Sequence, residues 1–541
     1  MKHTFKKLIA LVLSLCITFS FAFCVCANDD KEEKEIVTYS LGEKALWNIL
    51  QVAVDAVVNG VGALFPVPPQ WRDSSHCANG FMSGTDVFLE DEAKGAKWLL
   101  GYDSRSILLE RDDIIGKMYV GGTIGLEDKF ATDIADDLKV RTVALSDNSG
   151  RGVAVFCAVD CYGLSLSDVR TMRMMLQDYC IKSGINSLTF TSLHQHSAVD
   201  TFGMNGNIWK MVFTNPAKNL VGAKIENGKN AQYMANLFEK CVESIEAGVE
   251  NMEAGKLYYG TAPAEKYIND KRQPYVMDND FTRLRFVPES GKKETWIVTS
   301  AVHCVGNGAA GTVITGDYPY YMEKELSESN LMVVLGAEQS TTPERDETTI
   351  PDYDSNMSRL ELTAKFGKAV AEDIRKIETE TEVAPILNIR YTEVLLPVEN
   401  PILLLAGKAG LFENIIRKTG LTFSALTETG YIELGKDLAF AVVPGEIAPE
   451  IVYGGCLTKE TSWSGEDWQY PSLQKTVNEN RGERKLLVLG LANDQIGYIV
   501  PDNNYMPMIH SDSQSIEFVS LGKNTASKLV SAFGAMVAGI E

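Results

Sequence analysis

The 541-residue sequence predicts an α/β fold, a large mixed or partly parallel sheet core covered by helices, with its chemistry gathered at strand ends. Three observations predict it. A hydrophobic fraction of 45% against 23% charged residues describes a globular chain with a sizeable core, and excludes wholesale disorder, collagen and coiled coil. From residue 140 onward, strand-like runs alternate with helical ones. Several of the apolar runs end in a histidine or carboxylate beside a glycine-bearing turn, and parallel sheets collect functional residues at the C-terminal ends of their strands.

The elements follow in order. Lys2, Lys6 and Lys7 precede an apolar run over residues 8–23, and Val25 and Ala27 form a small-residue cleavage pattern before Asn28. Residues 1–27 therefore read as a secretory signal peptide, and the mature chain as secreted or extracytoplasmic, with a retained anchor as the competing reading. Residues 28–109 hold an acidic stub, an amphipathic helix over 43–58 ended by Gly60, and the start of a loop-rich entry that runs over 64–124. Asn48, Gln51 and Asp55 favour a packing helix over a membrane span, because lipid would have to accept their polar groups. Residues 110–541 form one main domain, with no repeat or low-complexity linker inside it.

Within that domain, strands over 141–145 and 152–158 flank the turn Asn148-Ser149-Gly150. A helix over 167–182, opened by Ser167 or Asp168 and closed before Gly184, leads to a strand over 187–192. Later strands are predicted over 281–286, 296–301, 331–335, 386–396, 438–443 and 485–489, and helices over 231–249, 358–377 and 524–537. The 51 Lys and Arg against 72 Asp and Glu give a net charge of -21, which opposes long-range steering toward nucleic acid. Cys77, Cys157, Cys161, Cys180, Cys241, Cys304 and Cys456 follow the leader without a Cys-x-x-Cys pair, and most read as buried small hydrophobes.

Histidine is scarce, with six in the whole chain. Two of them, His194 and His196, lie at the end of the 187–192 strand, where residues two apart in extended chain point to one side and present imidazoles to a metal or substrate. A hydrogen-bonded pair in a turn is the other reading. His303 ends the 296–301 strand before Gly306-Asn307-Gly308, and a buried histidine bonded to a backbone carbonyl is its plainer account. The 438–443 strand runs into Pro444-Gly445-Glu446, which offers a hard oxygen ligand, although glutamate also caps helices and decorates surfaces. Tyr498, after Leu491-Ala492-Asn493, reads as a metal ligand, an oxyanion donor or an amphipathic strand-end aromatic. The stretch Val333 to Pro343 is strand, sharp turn and hydroxyls, fit for receiving an oxyanion or for plain turn chemistry. Asp73, His76 and Cys77 match no motif, and His510 reads as a loop histidine.

Taken in order, these segments resemble the neutral/alkaline non-lysosomal ceramidases over roughly residues 110–535. Ser192-Leu193-His194-Gln195-His196-Ser197 is similar to the family's first histidine motif, His303 takes the place of its second, and Pro444-Gly445-Glu446 and Tyr498 match the remaining two ligands. The resemblance implies a zinc site made of His194, His303, Glu446 and Tyr498, at strand ends of a ceramidase-like catalytic domain. It implies His196 as a substrate or proton-transfer residue, and Thr342, before Pro343, in the place of the family's serine. The chain departs from the pattern at that threonine and at Ala198-Val199, and the resemblance implies a short member expected to lack the C-terminal immunoglobulin-like domain of longer enzymes. A zinc so held keeps one position for water, lowers its pKa and polarises a carbonyl.

The expected activity is hydrolysis of a linear amide, with N-acylsphingosine as the family substrate. The alternatives are a secreted metal hydrolase of another amide or ester, and a binding protein with a decayed site. The partners expected are a small-molecule or lipid amide and peripheral contact with membrane lipid, with no nucleic acid; oligomeric state is not legible. Trp463, Trp468 and Tyr470, after Glu446, suit a lid over an acyl chain or packing against their own domain.

Overall fold

The computed structural model describes residues 35–72, 79–122, 128–221, 223, 225–308 and 311–540. The predicted signal peptide and Asp73, His76 and Cys77 lie outside the described residues.

The α/β prediction holds, with two large sheets among the described residues instead of one. The first has nine strands: β1 (Trp98–Ser106), β2 (Lys139–Ser146), β3 (Val153–Val159), β4 (Ile185–Ser192), β5 (Glu253–Pro263), β6 (Asp280–Pro288), β7 (Thr295–Ser300), β8 (Asn330–Leu335) and β9 (Thr381–Val383). Their order is β8-β7-β6-β5-β1-β2-β3-β4, with β9 also on β5. The second has five: β10 (Leu387–Pro397), β11 (Ile416–Thr419), β12 (Thr422–Leu434), β13 (Leu438–Val442) and β14 (Lys485–Leu489). Both sheets are mixed. The pairs β3/β4, β7/β8 and β13/β14 are parallel, and the other strand pairs within the two sheets are antiparallel.

The sheets pack face to face through one apolar layer, and helices cover both outer faces. Ile297, Met332 and Val334 point inward to meet Phe440, Leu487 and Leu489 from the second sheet. The alternate residues Trp296, Val298, Leu331 and Val333 point outward and pack beneath the helices Asp317–Glu325 and Arg359–Arg375. Ala439, Ala441, Leu486 and Val488 do the same beneath Leu473–Arg481 and Thr525–Ala538. Strands covered on both faces read as continuous apolar runs, which is why 296–301, 331–335, 438–443 and 485–489 were legible.

Other strands carry no such run. The predicted loop-rich stretch contains β1, which sits in the middle of the first sheet and whose WLLGYDSRS sequence alternates poorly. β12 hides buried charge: Glu428 takes Arg170 at 2.8 Å and Arg173 at 2.9 Å, and Glu433 takes Arg481 at 2.8 Å. Those partners lie far off in sequence, so the strand looks polar until the fold neutralises it. The predicted helix over 43–58 is present as Leu41–Gly62, opened by Ser40, whose side chain accepts from Glu43 N–H.

Candidate metal centre

β4 delivers the first two histidines. Beyond Ser192 the chain keeps pairing, with Leu193 N–H donating to Val159 O, Gln195 N–H to Cys161 O and His196 N–H to Cys304 O. The extended conformation expected there is interrupted, because His194 adopts φ +49°. The two imidazoles still converge, with ring centroids 4.7 Å apart and planes at 86°. Gln195 between them donates to Gly316 O at 2.6 Å, which fixes the segment from the opposite side. His194 Nδ1 lies 2.7 Å from Tyr162 O and its ring stacks on the Tyr162 ring, while His196 Nδ1 lies 3.0 Å from Gly122 O. Each backbone carbonyl selects the Nδ1–H tautomer and turns an Nε2 lone pair into the site. A side chain at Gly122 would overlap His196, so the close approach requires glycine.

His303 follows β7 and brings its Nε2 to 2.9 Å from His196 Nε2. The nitrogens of His194, His196 and His303 all lie within 4.8 Å of one another. Geometry alone therefore makes His196 as good a ligand candidate as the other two.

The second sheet brings the carboxylate. Val443 N–H donates to Leu489 O, the chain turns through Pro444-Gly445, and Glu446 pairs in parallel with Tyr498. Glu446 Oε1 lies 3.4 Å from His194 Nε2, and Oε2 lies 3.9 Å from His303 Nδ1. The first spacing matches the edge of a tetrahedron about a metal with bonds of roughly 2.0–2.1 Å. The Tyr498 and Gln495 side chains hydrogen-bond the same carboxylate. The two sheets are tied at this point, where Gly490 N–H donates to Leu335 O, Ser192 N–H to Leu491 O and Asn493 N–H to Phe190 O. His194, Asp317, Ser340, Leu491 and Asn493 all hold left-handed backbone, a conformation that costs free energy and gathers at functional sites.

Gly445 is the hinge of the second arm. A Cβ there would run into Gly497 O, the acceptor of the Glu446 N–H. Gly445→Ala is expected to pull Glu446 from Tyr498 and to lower metal affinity by at least about tenfold, the lower end for a lost supporting contact. Metal titration of the folded variant checks this.

Glu338 went unnoticed in the sequence. It follows β8 in the turn begun by Gly336, whose N–H donates to Ser300 O. Its side chain is fully buried and neither carboxylate oxygen has a hydrogen-bond partner. It lies with His303 and Glu446 in a second group of donor atoms within 4.8 Å. An acid lodged between an apolar strand and a turn was the available signal, because a buried carboxylate needs a cation or a proton.

Burial governs the electrostatics. It pushes His194 and His303 well below the usual imidazole range, with neighbouring histidines adding to it, and lowers His196 to about 4. All three imidazoles are thus neutral at pH 7. Burial raises Glu446 to about 8, and raises Glu338 well above its usual value with help from the Glu446 charge. A metal must displace those protons, so its affinity is expected to climb as pH rises toward about 8, with proton release on binding. Because the folded-state value of Glu446 is raised, its contribution to stability in metal-stripped protein is complete below about 4.5 and is lost as pH rises toward 8. Thermal melts across that window should show the decline, and Glu446→Gln should flatten it.

The other predicted residues are placed as follows. Thr342 pairs with Asn269 and donates to its carbonyl at 3.3 Å, whereas Thr341 donates to Ala301 O at 2.7 Å, two residues before His303. Ser340 donates to Asp270 at 2.9 Å. Trp463 is buried against Tyr39 and His510, and Trp468 packs with Tyr470. His510 accepts from Asp512 N–H and sits in that aromatic group, apart from the three histidines. The described cysteines are free, and all but Cys456 are buried.

The two packed mixed sheets, with imidazoles brought by one and a carboxylate by the other, stand on a fold that solved structures share. The fold is that of neutral ceramidase. The chain superposes on the neutral ceramidase from Pseudomonas aeruginosa with a TM-score of 0.62 and 15% identity, over 82% of this chain and 74% of that one. A structure described as ceramidase complexed with C2 gives a TM-score of 0.60 and 14% identity, over 82% and 75%. No protein-family model matches the sequence, and no curated protein matches it either. The ceramidase fold is therefore shared at an identity too low for sequence comparison to register.

Proposed function

We propose that the protein is a zinc-dependent hydrolase of linear amides, acting on an N-acylsphingosine or a closely related N-acyl lipid. One observation carries the reading: buried imidazole and carboxylate donors from both sheets converge on one point within the ceramidase fold. The donor set fits a metal. His194 Nε2, Glu446 Oε2 and both Glu338 oxygens are buried without a hydrogen-bond partner, the condition expected of atoms built to face a cation. The mixture of nitrogen and oxygen suits zinc.

His194, His303, Glu446 and Tyr498 would hold the ion, with Glu338 beside them. When bound, zinc supplies a Lewis acid for the amide carbonyl and makes water acidic enough to attack it. The chain supplies the rest. The Tyr162 and Gly122 carbonyls hold His194 and His196 in one tautomer. His196, neutral with its Nε2 turned inward, accepts a proton there and returns it to the leaving amine nitrogen. Export to an extracytoplasmic location, after cleavage following Ala27, belongs to the same reading.

The test is metal content of the purified protein, followed by fatty-acid release from a short N-acyl amide and a long-chain ceramide. Thr342 is probed in the same assay. If its hydroxyl serves the substrate as well as Asn269 O, Thr342→Ser retains kcat/KM and Thr342→Ala loses about 2–4 kcal/mol of transition-state stabilisation, the range for a lost oxyanion donor. Equal rates for Thr342→Ala and wild type on both substrates would make the hydroxyl structural. Turnover of the short amide without any of ceramide would assign the enzyme another amide or ester.

A further inference from the structure

The helix Leu41–Gly62 turns a broad apolar face outward. Its protein-facing side mixes Lys44, Gln51 and Asp55 with Trp47, Val54, Val58 and Val61. Lys44 Nζ donates to Ser462 O at 2.6 Å, and Gln51 donates to Asp55 at 2.7 Å. The outward side carries Leu41, Leu46, Ile49, Leu50, Val52 and Val57, with exposures from 41 to 86%. At 100° per residue these six cover an arc of about 180°. Of the helix's three charged residues, Glu43, Lys44 and Asp55, only Glu43 is exposed. A surface helix of a water-soluble protein has the opposite polarity.

From these observations we infer that this face docks on a neutral, zwitterionic lipid bilayer, with the helix lying in the interface plane. Width favours lipid over a second copy of the chain. A helix-packing seam spans roughly 100°, whereas acyl chains wet any apolar arc they meet. The protein body here takes the side that water takes in a free amphipathic helix. The helix is long and apolar enough to cross a membrane. It is held instead along the molecule, where Val58 and Val61 pack on Ile402 and Leu405, and spanning would carry the half-buried Lys44 and Asp55 into hydrocarbon.

Charge decides the lipid, since no exposed cation lies on the face and the chain is acidic, so anionic headgroups gain nothing. An apolar route also leads inward from the helix. Its packing cluster includes Phe412, which stacks with Phe202, which meets Tyr162, the ring under His194. The inference does not rest on ceramide being the substrate.

The experiment is flotation with phosphatidylcholine vesicles, using the chain from residue 28, which keeps every described residue. Wild type should float equally at low and at about 1 M salt, because apolar docking is not screened. Ile49→Glu combined with Val52→Glu should cut the floated fraction at least about tenfold while the melting temperature stays unchanged, since both side chains are exposed. Two results would overturn the inference: wild type that stays soluble beside these vesicles, or a double variant that floats as well as wild type. Concentration-dependent dimers abolished by the same double variant, without flotation, would assign the face to a second copy. Flotation of a protein that fails to cleave ceramide would leave this inference standing and remove the substrate assignment.

Discussion

Substituting His303 by alanine should strip the protein of its metal. Purified wild type is expected to carry about one tightly bound transition ion per chain, and His303→Ala close to none, with amide hydrolysis lost in parallel. The prediction is large because His303 belongs to both donor groups, facing His196 through Nε2 and Glu446 through Nδ1. The fold should survive. The core beneath β7 is made by Trp296, Val298 and Leu331, none of which needs the imidazole. Elemental analysis beside a melting curve separates the two effects, and full metal occupancy with full activity in the variant would sink the assignment.

His196→Ala should behave differently. If its inward Nε2 moves a proton, metal content stays near wild type and turnover falls on the order of 10²–10⁴-fold, the span of general acid–base contributions. The geometry makes this a sharp experiment, because the His196 ring is as close to its two neighbours as they are to each other. Metal lost in step with activity would make His196 a ligand, and one of the other two imidazoles would then need a new role.

What the sequence disclosed depended on where the partners of each residue lay. His303 and Glu446 were legible because each follows an apolar run covered on both faces, so a polar residue there stands out locally, whereas His194, after the mixed strand β4, was legible as half of a His-x-His pair. Their convergence followed from the strand-end rule, although it takes two sheets to produce it. β12 stayed hidden because its acids are neutralised by arginines some 250 residues earlier or 50 later. Glu338 was passed over beside three hydroxyl residues that share its turn, and only burial reveals that its oxygens lack partners. The helix Leu41–Gly62 was legible as a packing helix, but not which of its faces packs. Gln51 and Asp55 were visible as interruptions, but nothing local says that they turn inward.

Donors drawn from opposite layers also set a schedule. His194 and Tyr498 are separated by roughly 300 residues, and Glu446 reaches the centre only when β14 has paired with β13. At a synthesis rate of about 5–20 residues per second, roughly 15–60 s separate the first donor from the last. No partial chain holds the full set, so an ion bound there would not nucleate folding as it does in a zinc finger, whose ligands lie a few residues apart. On the proposed reading, metal capture would close the protein's assembly, and a chelator present during refolding should leave the rate of sheet formation unchanged while keeping the product inactive.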